Sequence, residues 1–200
     1  MTARAAKHKN AIKWLVAAVM LLNLGYFAIE LYIGNSIGSV SLTADSIDFL
    51  GDAAINTLIL VGLFTGTHLH PGLRHVMAAL MLLPILATIL LAWQKFDALE
   101  VPTLFPFMIT GAGALLVNLI CAFLLVIYSR LAEDVRAASY YYERNDAIAN
   151  IAVICTGIFT AVFWTSAWPD LVVGVILGLI NMKSAYTVWV TGRGLDQAVN

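Results

Sequence analysis

The stretch Ser41-Leu42-Thr43-Ala44-Asp45-Ser46-Ile47-Asp48-Phe49-Leu50-Gly51-Asp52-Ala53-Ala54-Ile55-Asn56-Thr57 sets three aspartates and an asparagine inside an apolar run that continues to Phe64. At 1.5 Å of rise per residue, a helix of about 20 residues crosses a hydrocarbon layer of about 30 Å, and this run is long enough. An aspartate at the centre of such a helix costs roughly 2.5–3.5 kcal/mol, so Asp48 and Asp52 together cost about 5–7 kcal/mol. Apolar neighbours can offset that cost but give no reason for it. Residues four apart share a helix face, so Asp48, Asp52 and Asn56 form a polar ladder, with Asp45 one turn before it on nearly the same side.

The rest of the chain supports a membrane reading. Hydrophobic residues make up 61% of the 200 residues and charged residues 12%, and the mean hydropathy is +0.88. A soluble domain holds roughly 45–50% apolar and about 25% charged residues. The apolar runs predict an all-α integral membrane protein with six transmembrane helices, at about 11–33, 40–64, 76–93, 104–128, 137–163 and 171–190. They form a single transmembrane domain over 1–200, and the residues beyond 190 are too few for a C-terminal soluble domain. The first apolar stretch exceeds a signal-peptide core. Arg4, Lys7, Lys9, Lys13, Arg74, Arg130, Arg136 and Arg193 fall on one side of this topology and Lys95 on the other. The positive-inside rule then puts both termini in the cytosol, as in a multi-pass protein of the bacterial plasma (inner) membrane. A net charge of −1 points to no nucleic-acid partner. Cys121 and Cys155 lie in apolar runs without a neighbouring ligand residue and read as small core side chains.

The fifth span carries a second ladder, Tyr142, Asp146 and Asn150, in the sequence Tyr142-Glu143-Arg144-Asn145-Asp146. By helix rise, Asp48 stands about 12 Å from one membrane face and Asp146 about 14 Å from the other, so both fall near the midplane. Two acidic ladders at one depth, with Arg144 the one basic residue beside them, make a negative site for a cation. Glu30, near the far end of the first span, either reaches the interface or serves an ion or proton path. His68, His70 and His75, in the connection after the second span, could collect metal at the cytosolic mouth or simply form a polar loop.

The segment from Phe27-Ala28-Ile29-Glu30 through Ser39 to Asp52 resembles the first two spans of the cation diffusion facilitator family. Members carry a Glu in the first span, a Gly/Ser-rich turn, then Leu-Ala-Asp followed by His or Asp and, four residues on, Asp. Asn118, Arg136 and Trp168-Pro169-Asp170 also look like family positions, and the resemblance spans all six helices. It implies a six-helix metal/proton antiporter, usually a homodimer, that exports divalent cations from the cytosol. The implied ligands are Asp48 and Asp52 with Tyr142 and Asp146. Tyrosine departs from the family's His or Asp, so Asn145 or Asn150 is an alternative fourth ligand. The C-terminal domain of many members has no counterpart here, so a homodimer would rest on the helices.

Clustered carboxylates in low dielectric resist ionising together, and an arriving metal displaces the protons they hold, which is a basis for antiport. No histidine lies in the spans, so coupling falls to Asp48, Asp52 and Asp146, with Asp45 and Glu30 as candidates for a proton or metal pathway. Oxygen ligands favour manganese, iron(II) or cobalt, whereas family habit favours zinc, cobalt or cadmium. The transported metal ion is the substrate, and no organic cofactor is implied. Two alternatives stand beside this reading: a non-transporting membrane metal sensor or accessory subunit on the same scaffold, and a proton-coupled exporter of organic cations. No Ser/His or Cys/His pair or zinc-protease motif points to an enzyme.

Overall fold

The computed structural model describes the backbone of residues 3–65, 71–97, 100–131 and 136–197, and side chains chiefly within 10–64, 79–96, 100–124 and 149–186. Among these described residues six helices are formed: α1 (Ala3–Ser36), α2 (Val40–Thr65), α3 (Pro71–Asp97), α4 (Leu104–Leu131), α5 (Arg136–Val162) and α6 (Trp168–Gln197). Each helix covers one of the apolar runs read from the sequence, and most extend beyond it. Among the described residues, Asn10–Ser36 and Leu104–Leu124 are long and apolar enough to cross a membrane by length and composition alone.

Polarity is distributed inside out. Large apolar side chains such as Leu24, Ile29, Leu86, Leu90, Leu116, Ile151 and Leu179 are exposed, while Asn23, Glu30, Asp45, Asn118, Asn150 and Asn181 are buried. An exposed apolar surface wrapped around a polar interior suits a lipid surround and not water. At one end, Trp93, Phe96, Phe105, Phe163, Trp164 and Trp168 are exposed on α3, α4, α6 and the link between α5 and α6. They form an aromatic girdle of the kind found at a membrane–water interface.

α2 lies at the centre and touches every other helix. Its start is set by local chemistry. Gly38 takes the left-handed conformation (φ 64°), and the Gly38 and Ser39 N–H groups donate back to the Asn35 and Gly34 carbonyls at 3.2 and 2.7 Å. Those two bonds close a Schellman turn, which uses the orphan carbonyls at the end of α1. Ser39 then caps α2, its hydroxyl accepting from the Leu42 N–H at 3.2 Å.

Glycines allow the close approaches. A Cβ on Gly34 would sit 2.9 Å from the Thr43 backbone nitrogen, and one on Gly174 would sit 2.5 Å from the Val40 carbonyl carbon. At Gly174 the obstacle is backbone, so α6 must move away from α2 to admit a methyl group. Gly174→Ala is therefore expected to lower stability by about 1–3 kcal/mol, although alanine is the better helix former by about 1 kcal/mol. Thermal unfolding in detergent checks this, and an unchanged midpoint would contradict the close contact.

Candidate cation site

The polar interior is built on facing stripes of α1 and α2. Asn23, Tyr26 and Glu30 recur at spacings of three and four along α1 and so share one face. Tyr26 is held in place by its hydroxyl, which donates to the Thr110 carbonyl of α4 at 2.5 Å, and by a ring contact to Phe49 of α2 with centroids 5.0 Å apart. One turn further, Glu30 is wholly buried, so its carboxyl is enclosed by the protein and does not lie on its surface. Among the described residues, neither Glu30 oxygen meets a hydrogen-bond donor. Its electrostatic neighbours are the carboxyls of Asp45 and Asp48, with Asp45 within hydrogen-bonding reach once one of the two is protonated.

On α2, Asp45 is buried, while Asp48 and Asp52 are partly buried. Glu30 of α1 therefore has Asp45 and Asp48 of α2 as charged neighbours across the α1–α2 interface. Asn56 is buried, but its amide donates to the Asp52 carbonyl of its own helix at 2.8 Å. The top of the expected ladder is thus partly used within α2. On α5, Asn150 is buried, one turn beyond Asp146. The side chains of Tyr142, Asn145 and Asp146 lie outside the described residues, as do His68, His70 and the side chain of His75. Among the described residues, no three His, Cys, Asp or Glu side chains gather into a metal-holding group.

A second polar centre gathers around Asp170, which the sequence marked only as a family-like position. Asp170, in the first turn of α6, is buried and accepts four hydrogen bonds from the start of α2. The donors are the Ser39 hydroxyl (2.7 Å), the Val40 N–H (2.8 Å), the Ser41 N–H (3.1 Å) and the Ser41 hydroxyl (2.6 Å). A carboxylate at a helix N-terminus satisfies orphan N–H groups and meets the positive end of the helix dipole. Lys95, which counted in the sequence as the lone basic residue of the far side, is buried. Its ammonium donates to the Glu100 carbonyl and interacts with the charges of Asp170 and Glu100. The Trp168-Pro169-Asp170 pattern marked Asp170 as notable, but its target, 130 residues away, is visible only in the fold. Further along α6, Asn181 is buried and its amide donates to the Ala44 carbonyl at 2.6 Å. A polar residue in an otherwise apolar span was the available signal for Asn23 and Asn181.

These contacts fix relative direction. The start of α6 meets the start of α2, and Asn181 meets Ala44 further on, so the two helices run parallel. α5 leads into α6 through residues 163–167 and therefore runs antiparallel to α2.

Comparison with curated proteins gave no significant match. The family profile described as the cation efflux transmembrane domain matches residues 16–193, nearly the whole helical bundle. With its lipid-compatible surface and its carboxylates buried between α1 and α2, the chain belongs to the cation efflux (cation diffusion facilitator) family, whose members are membrane transporters of cations rather than enzymes.

Proposed function

We propose that the protein exports a divalent metal cation from the cytosol in exchange for protons, through a site formed by Asp48 and Asp52 of α2 and Asp146 of α5. The supporting observation is axial register. Ala149 and Val153 of α5 pack in one apolar cluster with Leu42 and Ala44 of α2. From Ala44, Asp48 and Asp52 lie about 6 and 12 Å along the helix, while Asp146 lies about 10 Å back from Val153 on the antiparallel partner. On that register Asp146 would stand at a level between the two α2 carboxylates. Three carboxylates from two helices at one depth suit a hard or borderline divalent cation. Tyr142, Asn145 and Asn150 are the candidates for the fourth ligand, and Asn150 has the burial such a role needs.

In this reading all six helices span the membrane, both termini are cytosolic by the positive-inside asymmetry, and the protein resides in the bacterial inner membrane as a homodimer joined through its helices. The Glu30–Asp45 pair is the proton-carrying partner of the site: each carboxyl is buried, and each lies within reach of the other. A proton held between them removes the cost of two buried charges and leaves when charge arrives at Asp48.

The test is flux in proteoliposomes carrying an interior pH dye, with zinc, cobalt, cadmium, manganese and iron(II) compared. Metal-driven proton movement supports the proposal, and metal binding without flux would instead indicate a sensor. Glu30→Gln is expected to slow proton-coupled uptake by about tenfold or more while metal affinity shifts much less, since about 1.4 kcal/mol separates each tenfold step. An unchanged proton signal would remove Glu30 from the path.

A further inference from the structure

We infer that α6 is the positioning element of the cation site: Asp170 and Asn181 hold the backbone of α2 at a fixed height and so decide where Asp48 and Asp52 stand. This rests on the assignment of those two carboxylates as cation ligands, and it assigns a role to groups which that assignment leaves unused. α6 grips α2 at three points. Asp170 takes the first N–H groups of α2 together with two serine hydroxyls. Gly174 brings the backbones together, with no room for a Cβ against Val40 and Ser41. Asn181 then donates to the Ala44 carbonyl at 2.6 Å.

The third grip bears most directly on the site. In an α-helix the carbonyl of residue 44 is the acceptor for the N–H of residue 48, so the Asn181 amide joins the hydrogen bond that leads into Asp48. The choice of asparagine is informative. Its side chain is fully buried, and its Oδ1 accepts no hydrogen bond from the described residues. A buried acceptor left unsatisfied is destabilising, so a leucine of similar size would suit packing better. What asparagine supplies and leucine lacks is the donor to Ala44. Beyond Asn56, the side chains of α2 at 57–61 are only partly buried. The tight hold is therefore at the start of α2, with Asp48 and Asp52 just past the last of these three contacts.

The experiment compares wild type, Asn181→Leu and Asp52→Ala in proteoliposomes, using zinc chloride and manganese chloride as probes, with folding monitored by size-exclusion profile and thermal midpoint. Asn181→Leu is expected to keep or raise the midpoint and to keep the rate at saturating metal within about twofold, while its KM rises about tenfold, because small displacements of positioned groups carry penalties of up to about a hundredfold. A role confined to stability would lower the midpoint and leave KM alone. Should Asn181→Leu fail to yield monodisperse protein, Ser41→Ala, which removes one hydroxyl from Asp170 and keeps both N–H bonds, is expected to raise KM by about threefold. An unchanged KM in the folded variant, with Asp52→Ala inactive, overturns the positioning role alone. Full flux in Asp52→Ala overturns the site assignment on which it rests.

Discussion

Asp52→Ala and Asp146→Ala are each expected to abolish metal-dependent proton movement in proteoliposomes, with protein yield and elution unchanged. Each removes a charged ligand from a low-dielectric site where the remaining carboxylates cannot neutralise a divalent ion, and no water-like solvent replaces it. Losing one such ligand is worth several kcal/mol of cation binding, and each 1.4 kcal/mol is tenfold in affinity, so about a hundredfold or greater loss is expected. The folded protein should tolerate both changes, since an aspartate inside a span is itself a cost of roughly 2.5–3.5 kcal/mol that alanine relieves. A thermal midpoint at or above wild type, alongside absent flux, is therefore the expected signature. Tyr142→Phe sharpens the count of ligands: flux near wild type would leave Asn145 or Asn150 as the fourth oxygen. Retained flux in both alanine variants would sink the site.

The second large effect is structural. Asp170→Asn is expected to destabilise the bundle by about 3–5 kcal/mol, the range found when one partner of a buried charged network is removed. An amide keeps one acceptor but turns a donor toward the start of α2, where the Ser39 and Ser41 hydroxyls and the Val40 and Ser41 N–H groups now all donate to the carboxylate. The change also leaves the buried Lys95 ammonium without the Asp170 charge. Thermal unfolding in detergent, followed by loss of monodispersity, measures the effect. A midpoint within experimental scatter of wild type would mean that the carboxylate contributes no more than a neutral cap, worth about 1 kcal/mol.

How much of this was legible beforehand differs from element to element. The helix count followed from apolar runs, because a lipid-spanning segment needs about 20 residues whatever its partners. Asp48 and Asp52 stood out because a carboxylate in such a run is costly, and the four-residue spacing put them on one face. Glu30 could not be placed the same way. Its position near the end of the first span allowed either a snorkelling or a buried carboxyl, and the choice turned on α1 facing Asp45 of α2 and on Tyr26 fastening α1 to α4. Lys95 was read as a topological marker, but its burial depends on the turn of α1 into α2 at Gly38 and on Asp170 arriving beside it. Asn56 was read as a rung of the ladder, yet its amide turns back to the carbonyl four residues earlier, a local bond that competes with any outward role.

The carboxylates of the second span thus belong to what the sequence determined alone: their cost in lipid and their shared face follow from residue type and helix period, both local properties. The tertiary structure alone decided what faces them and what holds them. Glu30 meets Asp45 and Asp48 because α1 and α2 pack stripe to stripe, and the height of α2 is set by Asp170 and Asn181 from a helix more than a hundred residues away. Burial and hydrogen bonding between distant segments leave no periodic trace in either segment, since each side chain is ordinary in its own helix and acquires its role only from its partner.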